Sequence, residues 1–250
     1  MKVVGMVPAR LQSSRLPKKA LIDIAGMPMV IHTCKRAQLA KSLNEVYLVT
    51  DSEVIKQAGE SYDIKVIMTG DHHQTGSDRL AEACQYVDCD IVVNIQGDEP
   101  LVNPEHIDAI VTPLLEDPSL QISVGVTPYE KKNSVSDIKA VLDLTGNIMY
   151  CSRTDLPSDA RTQVKEFLKM VFIVPFRKNF LLQYSSWAPT PLEQVEYNEY
   201  LRVLEHGIKI RAVKVDGAKI SVDTPEDLKE VRRLMAKDEL RFKYMAVANE

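Results

Sequence analysis

Between Val7 and Leu21 the chain reads VPARLQSSRLPKKAL, which sets Arg10, Arg15, Lys18 and Lys19 in one short loop directly after an apolar run. With the hydroxyls of Ser13 and Ser14 and the loop amides between them, these are the donors a polyphosphate needs, because phosphate oxygens favour charge-assisted hydrogen bonds. Pro8 and Pro17 stiffen the loop at its two ends. Taken alone the segment reads as a solvated basic turn, so its meaning depends on what else the chain brings to it. Other reactive side chains point away from metal chemistry. Cys34, Cys84, Cys89 and Cys151 contain no CxxC pair and fit neither a zinc ribbon nor a dense disulfide framework, so buried thiols are expected. His72 and His73 are adjacent, which predicts that their side chains diverge and line a loop without the i, i+4 spacing of a helical metal pair.

The elements that must position the loop follow a βαβ rhythm. Short apolar runs (KVVGMVPA, EVYLVTD, KVIMT, DIVVNIQGD) alternate with helical patterns (PMVIHTCKRAQLA, EVIKQAGESY, SDRLAEACQYV), as in a parallel sheet covered on both faces. Asp51 and Asp98 close two of these runs, at the C-terminal sheet edge where open α/β folds bind ligands. A helix from about Pro104 to Leu115 and a strand at QISVGVTPY complete this part. Residues 138–157 predict a hairpin turning at Thr145-Gly146-Asn147. A strand EFLKMVFIVPF, helices near 177–186 and 191–206, and a strand KIRAVKV follow. The last helix is announced by Thr224-Pro225-Glu226-Asp227, with Asp223 or Thr224 as cap. One α/β domain is expected over 1–235, with a β-rich insertion at about 138–190. The charged tail 236–250 is expected to be mobile or loosely docked.

The 250 residues carry a formal net charge of -4 and are 45% hydrophobic, enough for a sizeable core and too acidic for a general nucleic-acid binder. No apolar run approaches the roughly 20 residues of a membrane span. The N-terminus enters a strand at once, so a cytoplasmic enzyme is expected.

Four segments in this order, the loop at 7–21, HHQTGSDRLAEA at 72–83, VVNIQGDEPLVNP at 92–104 and SVDTPEDLKEVR at 221–232, resemble the 3-deoxy-manno-octulosonate (Kdo) cytidylyltransferases. The resemblance runs from Met1 to about Met235. It implies a single-domain nucleotidyltransferase fold with a mostly parallel mixed sheet flanked by helices and an inserted β-rich lobe through which members form homodimers. It also implies coupling of CTP to a 2-keto-3-deoxy sugar acid with release of pyrophosphate, in the setting of lipopolysaccharide or capsule precursor synthesis. By the same resemblance Arg10 and Lys19 hold the triphosphate, Arg15 assists, and Ala9 and Ser13 complete the loop. Thr75, Gly76 and Ser77 read the cytosine while Arg79 anchors their loop, and Gln96 faces phosphate or sugar hydroxyls. Asp98 and Asp223 bind Mg2+, whose preference for carboxylate, water and phosphate oxygens suits them. Arg10, Lys19, Asp98 and Asp223 are thus the expected catalytic set. Lys18, where many relatives carry Gly, is expected to be solvated.

The sugar half departs from the family. Where relatives carry HLGIYGY this chain has Met170-Val171-Phe172-Ile173-Val174-Pro175-Phe176, and in PLEQVEYNEYLR the family's Leu and sugar-contacting Gln have become Asn198 and Tyr200. Glu199 and Tyr200 are the expected sugar contacts on this segment. Arg153 either pairs with the sugar carboxylate or clamps a strand to its loop. Loss of polar donors leaves a hydroxyl unpaired, which opens the acceptor to a relative of Kdo such as an 8-amino analogue. Two rivals are weaker. A glycosyltransferase would carry a DxD motif, and QGDEP lacks its second Asp. A non-catalytic nucleotide binder would have little need of both carboxylates.

Overall fold

The computed structural model describes residues 1–13, 16–164, 166–218 and 220–245. Ser14 and Arg15 of the basic loop lie outside them. The chain begins with β1 (Val3–Ala9), passes a small ribbon of β2 (Asp23–Ile24) and β3 (Met27–Pro28), and enters α1 (Met29–Ala37). Then come β4 (Glu45–Thr50), α2 (Glu53–Glu60), β5 (Lys65–Met68), α3 (Gly76–Ala83), β6 (Ile91–Ile95), α4 (Pro104–Glu116) and β7 (Ser123–Tyr129). The second half holds β8 (Lys139–Leu142), β9 (Ile148–Ser152), β10 (Phe167–Val171), β11 (Ile173–Arg177), α5 (Lys178–Ser185), α6 (Pro191–Glu196) and α7 (Tyr200–Glu205). It ends with β12 (Arg211–Lys214), α8 (Pro225–Met235) and α9 (Phe242–Met245).

The first sheet has the order β11-β6-β1-β4-β5, parallel except for β11. Every residue of β6 is buried, as a central strand covered on both faces requires. Alternation along β1 sorts the core. Val4 and Met6 pack toward Leu80 of α3 and Leu181 of α5, whereas Val3 and Val7 pack toward Ile31 of α1 and Ile107 of α4. The chain leaves β1 toward β4 and leaves β6 toward the opposite side, so a crevice opens between the C-terminal ends of β1 and β6, the switch point where such sheets take ligands.

The second sheet has the order β12-β7-β10-β8-β9. Its β8–β9 hairpin is the one the Thr145-Gly146-Asn147 turn predicts. The sheet also draws in β7 and β12, which lie outside the 138–190 insertion. EFLKMVFIVPF is two strands and not one: Phe167–Val171 pairs with β7 and β8, and after Phe172 the segment Ile173–Arg177 pairs with β6 in the first sheet. This crossing, with the bridge between Ile122 and Phe176, ties the sheets together.

The tail departs from expectation over the residues described. Asp238 pairs with the Arg36 guanidinium, and Tyr244 is buried with its hydroxyl 2.9 Å from His32 Nδ1. The Ile24 carbonyl, 2.6 Å from Nε2, can only accept, so His32 carries its hydrogen on Nε2 and accepts from Tyr244 at Nδ1. Burial lowers the His32 pKa and keeps the ring neutral. All four cysteines are buried and free, as expected. Among the described residues no helix is long and apolar enough to cross a membrane.

Candidate active site

The crevice at the β1–β6 switch point is a cavity of about 310 Å³. Three strand-to-loop segments build it. From β1 come Pro8, Ala9, Arg10, Gln12 and Ser13; from β6 come Gln96, Gly97 and Asp98; from the α3 entry come His73, Gln74, Thr75, Gly76 and Arg79. Lys19 and Asp223 close the rim.

Each segment has a local reason for its shape. Gly97 is required because a Cβ there would lie 2.8 Å from the Pro8 carbonyl oxygen, so only glycine lets β6 pass so close to β1. Lys18 is exposed, as expected, and adopts φ 53, a left-handed conformation that glycine takes up without a steric cost. The turn it makes delivers Lys19 inward. Thr75 caps α3 through a capping box with Asp78, which leaves the first amides of the helix at the cavity wall. The Arg79 guanidinium donates to Thr69 Oγ1, the Gly70 carbonyl and Asp51 Oδ2, so it anchors the loop, as expected.

Residues far apart in sequence meet at the rim. Lys19 Nζ donates to Asp98 Oδ2 at 2.6 Å and to Asp223 Oδ1 at 3.1 Å. The Val222 amide donates to the Asp98 carbonyl at 2.9 Å, holding the two acidic segments side by side. Beneath them Leu16, Leu101, Val222, Val231 and Met235 form one apolar cluster that packs the basic loop against α8. The cap of α8 is Thr224, paired with Asp227, so the cap does not consume the Asp223 side chain. With side-chain exposures of 14%, 30% and 33%, the Lys19 pairs stabilise the fold by at most about 1 kcal/mol. Their consequence is electrostatic: two carboxylates aimed at one cationic centre.

Not every expected residue reaches the cavity. Ser77 is fully buried and does not line it. Tyr200 is buried at 2% exposure, stacked on Phe172 and Phe176, with its hydroxyl 3.5 Å from Asn94 Nδ2. Its ring belongs to the core. Arg153 is a clamp: its guanidinium donates to the carbonyls of Glu196, Tyr197, Val135 and Ser136. Glu199 accepts from the Tyr184 hydroxyl at 3.2 Å, and desolvation pushes its carboxyl up to about 7 although the nearby Thr75 and Ser77 hydroxyls favour the ionised form. Of the Met170–Phe176 run, Met170, Val171, Ile173, Val174 and Phe176 are buried core. The sequence reading missed Gln12, His73 and Gln74. A glutamine beside a cationic loop and a His-Gln pair just before the α3 cap were the available signals.

His72 and His73 do not diverge. Their ring centroids lie 4.3 Å apart, and with Glu82 they bring ligand atoms within 4.8 Å of one another. Side chains of neighbouring residues oppose each other only along an extended strand. This segment is a bent loop, and Gly70 gives it room, since a Cβ there would lie 2.5 Å from the His72 ring.

The model of the cytidylyltransferase family matches residues 4–210. A 3-deoxy-manno-octulosonate cytidylyltransferase of Geobacter metallireducens is 40% identical over 92% of this chain and 96% of its own length. The chain belongs to the 3-deoxy-manno-octulosonate cytidylyltransferase family. A relative of the same name from Bdellovibrio bacteriovorus is 38% identical over 94% of this chain and 98% of its own. The solved structure of CMP:2-keto-3-deoxy-manno-octonic acid synthetase complexed with CTP superposes with a TM-score of 0.91 at 36% identity, covering 95% of this chain and 99% of that one. The protein is therefore a nucleotidyltransferase with the mixed α/β fold of this family.

Proposed function

We propose that the protein couples CTP to Kdo or a close analogue such as 8-amino-Kdo, giving the CMP-sugar and pyrophosphate. The observation that carries this reading is the convergence of Asp98 and Asp223 on Lys19 of the basic loop, at the rim of a cavity that Arg10 and Ser13 of the same loop also line. A sugar hydroxyl attacks the α-phosphate, one P–O bond forms as another breaks, and the negative charge of pyrophosphate grows. Arg10 and Lys19 supply fixed positive charge against that growth. The amides at the α3 entry, with Thr75 and Gly76, hold the base, and Gln96 offers an amide to phosphate or sugar.

Mg2+ fits the rim. Two carboxylates from separate segments already converge on the Lys19 ammonium, 2.6 and 3.1 Å away, and an all-oxygen donor pair is what this hard cation selects. Asp98 and Asp223 would hold it, and bound there it supplies charge neutralisation at the phosphates. The same reading makes the protein a cytoplasmic homodimer serving lipopolysaccharide precursor synthesis. The exposed Val135, Leu144 and Met149 around β8–β9, with Val195 and Tyr197 beyond them, are an apolar surface suited to a second copy of the lobe.

Pyrophosphate release from CTP and Mg2+ with Kdo, 8-amino-Kdo and nine-carbon keto-deoxy acids tests the proposal. Release with one acceptor names the substrate. Silence across the panel with CTP binding intact would overturn the reading in favour of a nucleotide-binding protein.

A further inference from the structure

We propose that His72, His73 and Glu82 form a second cation site, selective for a borderline ion such as Zn2+ and distinct from the Asp98–Asp223 pair. His73 Nε2 lies 2.5 Å from Glu82 Oε2, and the His72 ring lies tilted beside His73 with centroids 4.3 Å apart. All three residues offer a ligand atom within 4.8 Å of the others. Tetrahedral zinc with bonds of about 2.0 Å separates its ligand atoms by about 3.3 Å, so small side-chain rotations complete the site.

The surroundings are those of a built site. The Gly70 amide donates to both Glu82 oxygens, at 3.3 and 3.1 Å, and the Tyr86 hydroxyl donates to Oε1 at 3.3 Å, so the carboxylate is oriented before any ion arrives. The missing Cβ of Gly70 makes the space that the His72 ring fills. Two imidazoles and one carboxylate suit Zn2+, Co2+ or Ni2+, whereas the Asp98–Asp223 oxygens suit Mg2+, so one protein can sort two cations without confusion. Three protein ligands leave a position open to water.

The site sits where an ion would matter. Its ligands join the loop after β5 to α3, and His73 also lines the nucleotide cavity next to Gln74 and Thr75. Arg79 already ties the same loop through Thr69 and Gly70. An ion at Glu82 adds a second cross-link, fixing the wall that receives the base.

Co2+ is a coloured probe for the test. The full-length protein, stripped with chelator and supplied with excess Mg2+ to occupy the carboxylate pair, is titrated with Co2+ and then displaced with Zn2+. One equivalent of Co2+ should develop the intense visible bands of a low-coordinate site, and Zn2+ should bleach them and raise the melting temperature. His72→Asn changes an exposed ring, and it should remove the bands and weaken Zn2+ binding by about tenfold or more. Glu82→Gln, checked for folding by circular dichroism, should do the same. Absence of the bands in the unmodified protein, or Zn2+ binding undiminished in folded His72→Asn, would overturn the proposal.

Discussion

Lys19 and Asp98, 79 residues apart in sequence, are joined by a 2.6 Å contact from Nζ to Oδ2. The ammonium reaches it from a left-handed turn at Lys18, and the carboxylate stands one residue beyond a glycine that alone permits the approach of β6 to β1. Both features are local, yet together they place opposite charges at the mouth of the crevice, with Asp223 completing the group at 3.1 Å.

Asp98→Ala removes one carboxylate and no core volume, since the side chain is 30% exposed. Stability should stay within about 0.5 kcal/mol of the parent, as for surface changes. Turnover should fall about 10²–10³-fold or more, as when one electrostatic partner of the transition state is lost. Pyrophosphate release and a urea melt of the same sample separate the two effects; near-normal turnover would sink the metal assignment.

Lys19→Met leaves Asp98 and Asp223 facing one another without their shared ammonium. Removal of a competing cation should tighten apparent Mg2+ binding. At the same time kcat/KM for CTP should fall about tenfold or more, because fixed positive charge toward the phosphates is gone. Mg2+ titration of initial rates reads both numbers, and Mg2+ dependence unchanged from the parent would show that Lys19 does not share the carboxylate site.

Much of this was legible before the structure because the signals were local. Strand periodicity gave β1, β4, β5 and β6, and a run of cap residues gave the starts of α3 and α8. The rim came from the resemblance of the basic loop and of the QGD and VDT segments to the family, since the loop alone reads as a solvated turn and the VDT segment as a helix cap. What stayed hidden depended on tertiary partners. From Met170 to Phe176 the run is apolar without a break, so no period reveals that it changes sheets at Phe172. Tyr200 and Arg153 carry groups able to bind a sugar, but Phe172 and Phe176 take one into the core and four backbone carbonyls claim the other. Of the two aromatics in the charged tail, Tyr244 is buried, and its partner His32 lies 212 residues earlier.

Gly97→Ala would place a methyl group 2.8 Å from a backbone oxygen of Pro8, which cannot rotate aside as a side chain can. Overpacking of this kind costs about 1–3 kcal/mol. The strands must separate at their C-terminal ends, so CTP affinity should fall together with stability. A urea melt and a CTP titration check this, and unchanged values in both would show that the β1–β6 contact is not strict.

Glu199 should leave a signature in the pH dependence of stability. Its carboxyl is pushed up to about 7 in the folded chain from an ordinary value of 4.5, chiefly by desolvation. Between those values the folded state holds more protons than the unfolded chain, so stability falls as pH rises through the window. Glu99, raised to about 7 by burial and by the neighbouring Asp98 charge, contributes with the same sign. Glu199→Gln should therefore flatten the decline between about pH 5 and 7 without abolishing it. Thermal melts of parent and variant across this range provide the check, and parallel profiles would refute the assignment.

Arg202 and Glu193 form a buried pair on neighbouring helices, at 3% and 8% exposure. Arg202 donates through Nε to Glu193 Oε2 at 2.7 Å and through a terminal nitrogen to Oε1 at 2.5 Å, and its other terminal nitrogen reaches the Trp187 carbonyl at 3.0 Å. Arg202→Met keeps most of the volume but leaves the buried Glu193 carboxylate with the Thr190 amide in place of a guanidinium, and takes the donor from the Trp187 carbonyl. Breaking such a pair from one side costs about 3–5 kcal/mol, far more than an exposed bridge. The double variant Arg202→Met with Glu193→Leu removes the orphaned charge and should recover a substantial part of the loss. Urea denaturation of the single and double variants measures the coupling. Since Glu193→Leu also gives up the capping bond to the Thr190 amide, recovery should be partial, and a double variant no more stable than Arg202→Met would refute the orphaned-charge account.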